Sequence, residues 1–471
     1  MSSAKKGMEN NEEYSFGYSD VKEHQREKII KGFYVIHAPV AGAILHKGLI
    51  KSIENICSRK KGQQVIIPIR HHAQSFEVQN ENFDPQVLEL SRKFPLVKTF
   101  SFNKNLKAVD LQLNAQNLNP LSGIERFTRE DNHRHSVIVA HPKQDYKVIP
   151  YSNIKQPHLA FTTGASTYPC YRDNTQGRKA EQEHKIGCVI IEIYSEQRFR
   201  MTQVEAAKDG SFIYDGTKYL PSGRIIENYE VEAYVAGDLH PGNHSEYAVN
   251  EMLKLIRKYQ PENLLLHDAM DFFSLNHHEA HSVPLMRDRI VNGRTLDFER
   301  KEILKIFNRL DRAMDGRDII IVPSNHNDFL SRRLHELRLD QDPVNSILLA
   351  EVYAKWMKDG RTRFPEEYLL DLPENFLFPT LNQDVIIEGY NQIHGDKGLA
   401  GGKGSATSFN RVYQKSISGH THSPVKIGDT IVVGTNSLLK QGYNNGIQSW
   451  LHSDVIIYKG GQTQTFFKIP D

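Results

Sequence analysis

An α/β architecture in two parts is predicted for this chain, and three observations predict it. Between Phe33 and Phe102, short β-branched runs alternate with helical patterns. Beyond Tyr229, three apolar runs each end in acidic, amide or imidazole side chains. The tail after His422 carries strand patterns separated by turn glycines, with no helical period. Strands alternating with amphipathic helices build an open sheet with helices on its faces, and a tail made of strands adds a second sheet.

The elements follow in order. Residues 1–30 are polar and mixed in charge, and predict a loose arm. Residues 31–225 predict an α/β accessory domain: "FYVIHAPV", "QQVIIPIR" and "VKTFSF" read as strands, with "GLIKSIENICSR" and "PQVLELSRKF" as helices between them. Further strands follow in "HSVIVAHP", "HLAFTTGAS" and "GCVIIEIYS". The Asp-Gly and Pro-Ser-Gly turns of "GSFIYDGTKYLPSGR" mark a hairpin and a domain break between Pro221 and Asn228. Residues 229–471 form the second domain. There "YEVEAYVAGDLH", "PENLLLHDAMDFF" and "GRDIIIVPSNHNDF" each place polar residues at the carboxyl end of a strand, where α/β sheets build their sites. No internal repeat is evident.

Composition excludes several classes. Of 471 residues, 39% are hydrophobic and 25% charged, as in globular proteins. Lys plus Arg at 59 against Asp plus Glu at 57 leaves a net charge of +2, so a nucleic-acid partner has to be argued from a site and not from the overall field. Cys57, Cys170 and Cys188 are widely spaced and carry no C-x-x-C signature, which points to a reducing cytoplasm. No stretch approaches the roughly 20 apolar residues of a spanning helix, and a membrane partner is not expected.

Chemistry concentrates at the strand ends. Asp238 and His240 stand in "GDLH", Asp268 and Asp271 in "HDAMD", Asn325 and His326 in "SNHND", His394 in "HGDKG", and His420 and His422 in "GHTH". Carboxylates, imidazoles and a carboxamide suit borderline divalent ions, and the set exceeds the needs of one ion. The ordered series D-x-H, an acidic D-x-x-D turn, N-H, a single His and G-H-x-H resembles the calcineurin-like metallophosphoesterase family over roughly Tyr229 to the C-terminus. That resemblance implies a four-layer β-sandwich flanked by helices and two divalent ions, Mn²⁺ foremost. It implies that Asp238, His240, Asp268 and His422 hold the first ion, and Asp268, Asn325, His394 and His420 the second. A water bridging the ions would be the nucleophile, and His326, backed by Asp271, would serve the leaving oxygen. The family often has Gly where His267 stands, and Asp or Glu where Asn327 stands.

The expected substrate is DNA. Size and layout resemble the nucleases of double-strand-break repair and the early DNA-degrading proteins of tailed phages. Basic and aromatic residues between Asn325 and His394 suit phosphate neutralisation and base stacking, although Trp356 equally suits a helix core. Lys397, Lys403 and Arg411 lie in the Gly-rich stretch Gly395–Arg411, Arg332 and Arg333 follow the third motif, and His244 and His267 adjoin the first two; these seven are the candidate substrate contacts. Other readings are a nucleotide phosphodiesterase or phosphatase, and a non-catalytic scaffold on the same fold. Homo-oligomerisation is compatible with the sequence. The histidines of "RHHAQ" and "DNHRH" have no carboxylate at ligand spacing and are assigned no chemistry, while "NHHEAH" reads as a solvated helix start ahead of a substrate contact.

Overall fold

Strand Val231–Val235 is apolar except for Glu232 and is buried along its length apart from that residue. It pairs in parallel with Asn263–Leu266, which pairs in parallel with Asp318–Ile321, and that in turn with Phe376–Leu377. On its other side lie antiparallel Ser453–Tyr458 and Thr463–Phe467, completing a six-stranded sheet. Parallel strands with both faces covered read as continuous apolar runs, which is why "NLLL" and "DIII" lack alternation. The computed structural model describes residues 29–69, 83–130, 133–152, 157–276, 283–336, 342–380, 383–441, 444 and 446–469. The arm at residues 1–30 lies almost wholly outside these. So do "RHHAQ", residues 277–281 of "NHHEAH", and Asp131 and Asn132 of "DNHRH".

Two helices cover one face of this sheet. Helix Glu246–Tyr259 is started by the Ser245 hydroxyl, which accepts from the Ala248 N–H. It buries Ala248, Val249, Met252, Leu253, Ile256 and Tyr259 at helical spacing, keeps Arg257 and Lys258 in its last turn, and stops at the left-handed Gln260. Helix Leu296–Met314, capped by Thr295, packs beside it over the same apolar cluster. The other face meets a ten-stranded sheet through a second cluster that includes Val235, Leu265 and Val455 on one side and Ile417, Ile431 and Val433 on the other.

That larger sheet alters the expected domain picture. Its C-terminal strands Tyr390–Ile393, Ser416–Ser418, Thr430–Val432 and Val425–Ile427 are continued by Tyr146–Ile149, His158–Thr162, Ser136–Val139 and Leu106–Val109. One sheet and one apolar cluster thus draw residues from both sides of the predicted break, because the Val425–Ile427 edge finds its hydrogen-bond partner in Tyr146–Ile149. The N-terminal segment adds a four-stranded sheet, Phe199–Glu205, Gly187–Ile193, Gly32–His37 and Gln63–Ile66, whose own apolar cluster lies against helix Lys47–Lys60. All three cysteines are free, Cys57 and Cys188 buried and Cys170 exposed. Among the described residues no helix is long and apolar enough to cross a membrane.

A buried ionic knot fastens the end of the central strand. The Lys468 ammonium donates to the Asp454 carboxylate, to Asn436 Oδ1 and to the Ala248 carbonyl. The Tyr234 hydroxyl, the Gly237 N–H and the Asn436 amide also donate to Asp454. Removing one partner from such a buried pair strands a charge and costs about 3–5 kcal/mol. Lys468→Met should lower unfolding stability by about that amount in a denaturant titration; a loss under about 1 kcal/mol would show the knot to be dispensable.

Candidate metal centre

The carboxyl ends of the central strands bring three motifs of distant sequence together. Asp238 follows Val231–Val235, Asp268 and Asp271 follow Asn263–Leu266, and Asn325 and His326 follow Asp318–Ile321. His394 follows Tyr390–Ile393, and the Gly419–His422 turn follows Ser416–Ser418 on the facing sheet. Side-chain ligand atoms of Asp238, His240, Asp268 and His422 lie within 4.8 Å of one another, and all four residues are buried.

Asp268 faces two ways. Its Oδ2 is 3.3 Å from His240 Nε2, and its Oδ1 is 3.3 Å from His394 Nε2. On the first side His422 Nε2 stands 3.1 Å from both Asp238 Oδ2 and His240 Nε2. On the second, Asn325 Oδ1 lies 3.1 Å from His394 Nε2, and the His420 ring sits 5.2 Å, centroid to centroid, from that of His394. Donor separations near 3 Å are the polyhedron edges expected for bonds of roughly 2.0–2.2 Å to a divalent ion. Asp238 Oδ1, Asp268 Oδ1 and His422 Nδ1 are buried without a hydrogen bond, which is costly unless a cation or other partner meets them. The donor set therefore fits metal ions, and buried His and Asp groups here could hold one.

Asp271 organises two imidazoles at once. Its Oδ1 lies 3.1 Å from His240 Nδ1 and 2.7 Å from His326 Nδ1, and its Oδ2 accepts from the Asn243 amide at 2.8 Å. An ionised carboxylate only accepts, so both Nδ1 atoms carry protons, and His240 is left with an Nε2 lone pair turned toward Asp268 and His422. Burial would raise Asp271, but His240 and His326 hold it far below the usual carboxylate range. Burial would lower the His326 imidazole, yet Asp268 and Asp271 outweigh it and lift it to about 10. Burial and the neighbouring His394 lower His420 to about 4, leaving a neutral imidazole.

The Gly419 backbone is part of the centre. A Cβ there would stand 2.1 Å from Asp238 Oδ1. Four ligand candidates take left-handed backbone angles: His240 (φ 45°), Asp268 (42°), His420 (70°) and His422 (58°). Such non-glycine conformations cost about 1–3 kcal/mol each and cluster at functional sites.

The expected substrate contacts divide. His267 is fully buried, with both ring nitrogens unpartnered and its ligand atom within 4.8 Å of those of Asp238 and His394, so it belongs beneath the cluster and not in a substrate groove. His244 folds back on its own turn, accepting from the Gly242 N–H and meeting Glu246. Arg333 is only 12% exposed and lies 4.0 Å from buried Asp342. Arg332 and Lys397 do converge, each 4.0 Å from an oxygen of Asp328 in the third motif. Lys403 and Arg411 are exposed, and the Lys403 charge reaches His420. Trp356 is buried, as a core residue would be.

Three participants had contacts that the sequence did not indicate. Asn243 holds Asp271, Trp450 packs edge-on against His422 with centroids 4.2 Å apart, and Asn327 accepts from the Met270 N–H while donating to the Val322 carbonyl. Asn327 thereby ties the third motif to the turn that carries Asp268 and Asp271. Asn243 sits in the G-N-H following the first motif, and that local resemblance to a metal motif was the available signal.

At the level this geometry defines, the chain is a mixed α/β protein with large sheets and a buried His/Asp cluster competent for metal. It is 28% identical over 322 residues, 64% of its length, to Protein A1 of Escherichia phage T5. The match spans 57% of that phage protein's length. No protein-family model matches the chain, and no solved structure matches it significantly.

Gly419→Ala should push Asp238 aside and weaken Mn²⁺ binding by about tenfold or more, in line with displaced supporting groups elsewhere, while circular dichroism stays unchanged. Undiminished affinity in isothermal titration would contradict the close approach. A second expectation concerns pH in chelator-treated protein. His326 has a folded value near 10, above its ordinary value of about 6.5. Its imidazolium therefore adds stability that is complete below about pH 6.5 and lost as pH rises through about 10. Unfolding midpoints between pH 7 and 10 should fall more steeply for wild type than for His326→Gln; parallel curves would refute the ion pair.

Proposed function

We propose that this protein is a two-metal-dependent phosphodiesterase that hydrolyses DNA, a DNase of the calcineurin-like metallophosphoesterase type. The observation that carries the reading is Asp268, one oxygen turned to the His240 group and the other to the His394 group. Asp238, His240, Asp268 and His422 would hold one ion, and Asp268, Asn325, His394 and His420 the other. When bound, two divalent ions supply Lewis-acid polarisation of the phosphoryl oxygens and neutralise charge at phosphorus.

The side chains do the remainder. His326 commits its Nδ1 proton to Asp271, which leaves Nε2 as the nitrogen able to deliver a proton to the leaving oxygen. Asn243 and His240 keep Asp271 ionised and oriented for that task. Arg332 and Lys397 beside the third motif, with exposed Lys403 and Arg411 on the Gly-rich stretch, supply positive charge for phosphates flanking the scissile one. The likeness to a phage protein is compatible with action in a host cytoplasm.

The test is incubation of purified protein and Mn²⁺ with linear, circular and single-stranded DNA. Cleavage should vanish on chelation and in Asp268→Asn, and fall by roughly 10²–10⁴-fold in His326→Ala, whose metal content should be unchanged. DNA affinity should drop by about 0.9 log units per log unit of salt for each phosphate contact, and less steeply once Arg332, Lys397, Lys403 and Arg411 are neutralised. Full activity in excess chelator, or small aryl phosphodiesters turned over far faster than any DNA, would overturn the assignment.

A further inference from the structure

The two halves of the chain share one strand plan. In the C-terminal half Thr463–Phe467, Ser453–Tyr458, Val231–Val235 and Asn263–Leu266 are adjacent, with antiparallel, antiparallel and parallel pairings. In the N-terminal half Phe199–Glu205, Gly187–Ile193, Gly32–His37 and Gln63–Ile66 repeat that order and those senses. The ten-stranded sheet does the same about its middle. Ile386–Ile387, Tyr390–Ile393, Ser416–Ser418, Thr430–Val432 and Val425–Ile427 pair antiparallel, parallel, parallel and antiparallel. Thr99–Asn103, Leu106–Val109, Ser136–Val139, His158–Thr162 and Tyr146–Ile149 do so in the same sequence.

Registers make the correspondence residue-specific. Tyr34 pairs with Ile191 and Gln63 as Tyr234 pairs with Ile456 and Leu264. The Ser166 N–H donates to the Ala38 carbonyl as that of Asn436 donates to Asp238, and Thr163 donates to Val139 as Val433 donates to Ser418. Helices Lys47–Lys60 and Glu246–Tyr259 follow the corresponding first strands, have 14 residues each, and end on left-handed Lys61 and Gln260. Where the halves meet, Lys426 pairs with Tyr146, and these two residues correspond to each other. A pseudo-two-fold axis therefore passes between them, as in an isologous dimer interface.

The correspondence also reports what became of the metal centre. Asp238, His240, Asp268 and His422 map to Ala38, Val40, Ile67 and Lys143. Three of these are buried and apolar, and the fourth is a buried lysine whose ammonium is held by Asp145 at 3.4 Å, Glu183 at 3.3 Å and the Leu118 carbonyl at 3.1 Å. Of the remaining candidates, His420 maps to His141 and His394 to Asp110, whose Oδ1 accepts from the Gln112 N–H at 2.8 Å. Past Gln63–Ile66 the four-stranded sheet is continued by the parallel bridge of Ile66 with Leu96, and the chain then enters Thr99–Asn103 of the ten-stranded sheet, so no Asn-His pair stands where Asn325 and His326 do. A fixed buried cation beside an apolar lining repels a divalent ion.

We infer that the N-terminal half is a second, metal-free copy of the C-terminal fold, which serves as a permanent partner subunit within the chain and docks on the Val425–Ile427 edge. It covers hydrogen-bonding groups that an uncovered edge strand would expose to other chains. Because the two middle strands run antiparallel, the emptied centre and the His/Asp cluster lie at opposite edges of the shared sheet. The copy supports the site without entering it.

Two measurements on the full-length chain test this. Elemental analysis after Mn²⁺ loading should give bound ions in wild type, none in the Asp238→Asn, Asp268→Asn double variant, and an unaltered count in His141→Ala. Ions retained by the double variant and lost on adding His141→Ala would overturn the inference. A wild type that binds no Mn²⁺ would defeat the phosphodiesterase reading while agreeing with a metal-free N-terminal half. Hydrogen exchange reads the partnership directly. Amides of Tyr146–Ile149 and Val425–Ile427 should exchange together at the rate of the most protected core. Fast exchange of Tyr146–Ile149 beside a protected C-terminal half would show two independent units and refute the docking.

Discussion

The structure turns on one buried carboxylate, Asp268, whose two oxygens face different imidazoles. Holding it requires a left-handed backbone at a non-glycine residue, and the same conformation recurs at His240, His420 and His422. Strain of this kind persists only where surrounding structure over-determines it. Here the determination comes from two sheets packed face to face, each ending its strands at the same place, so that turns from opposite sheets converge within a few ångströms. The ionic knot of Lys468, Asp454 and Asn436 fixes the Gly237 turn from behind, and the bare Cα of Gly419 lets the facing turn come close.

Electrostatics then sorts the roles. Three carboxylates buried close together would repel one another and pay heavily for desolvation, but each is met by imidazoles. Asp271 takes two Nδ1 protons, which leaves the Nε2 atoms of His240 and His326 for other work. His267, fully buried where a glycine would be more usual in the family this chain resembles, brings a further imidazole beneath Asp238 and His394.

The pairing of Lys426 with Tyr146 places the whole centre within a larger symmetry. A sandwich with an open edge strand is a template for unwanted pairing, and a second copy of the same sandwich is the surface best shaped to close it. A copy that binds no metal has to keep only its apolar core and its edge. Its corresponding positions are accordingly the apolar Ala38, Val40 and Ile67.

The sequence by itself determined which metal-capable side chains stand at which strand ends. Asp238, His240, Asp268 and Asn325 follow apolar runs in order, and the structure places the ligand atoms of Asp238, His240, Asp268 and His422 within 4.8 Å of one another, with Asn325 and His420 beside His394. Local pattern suffices for this because a strand's terminus and its apolar character are short-range properties. Sequence also indicated the helix periods, since burial at i, i+3 and i+4 is written in residue type. Only the tertiary structure decided what lies beside what. Asn243 under Asp271, Trp450 against His422, Arg333 turned to Asp342 and His267 beneath the cluster depend on long-range packing that no spacing encodes. The internal symmetry was hidden for a related reason. A core asks for apolar residues of suitable volume, not particular ones, so two copies can keep strand order, strand sense and most pairing registers while their sequences diverge.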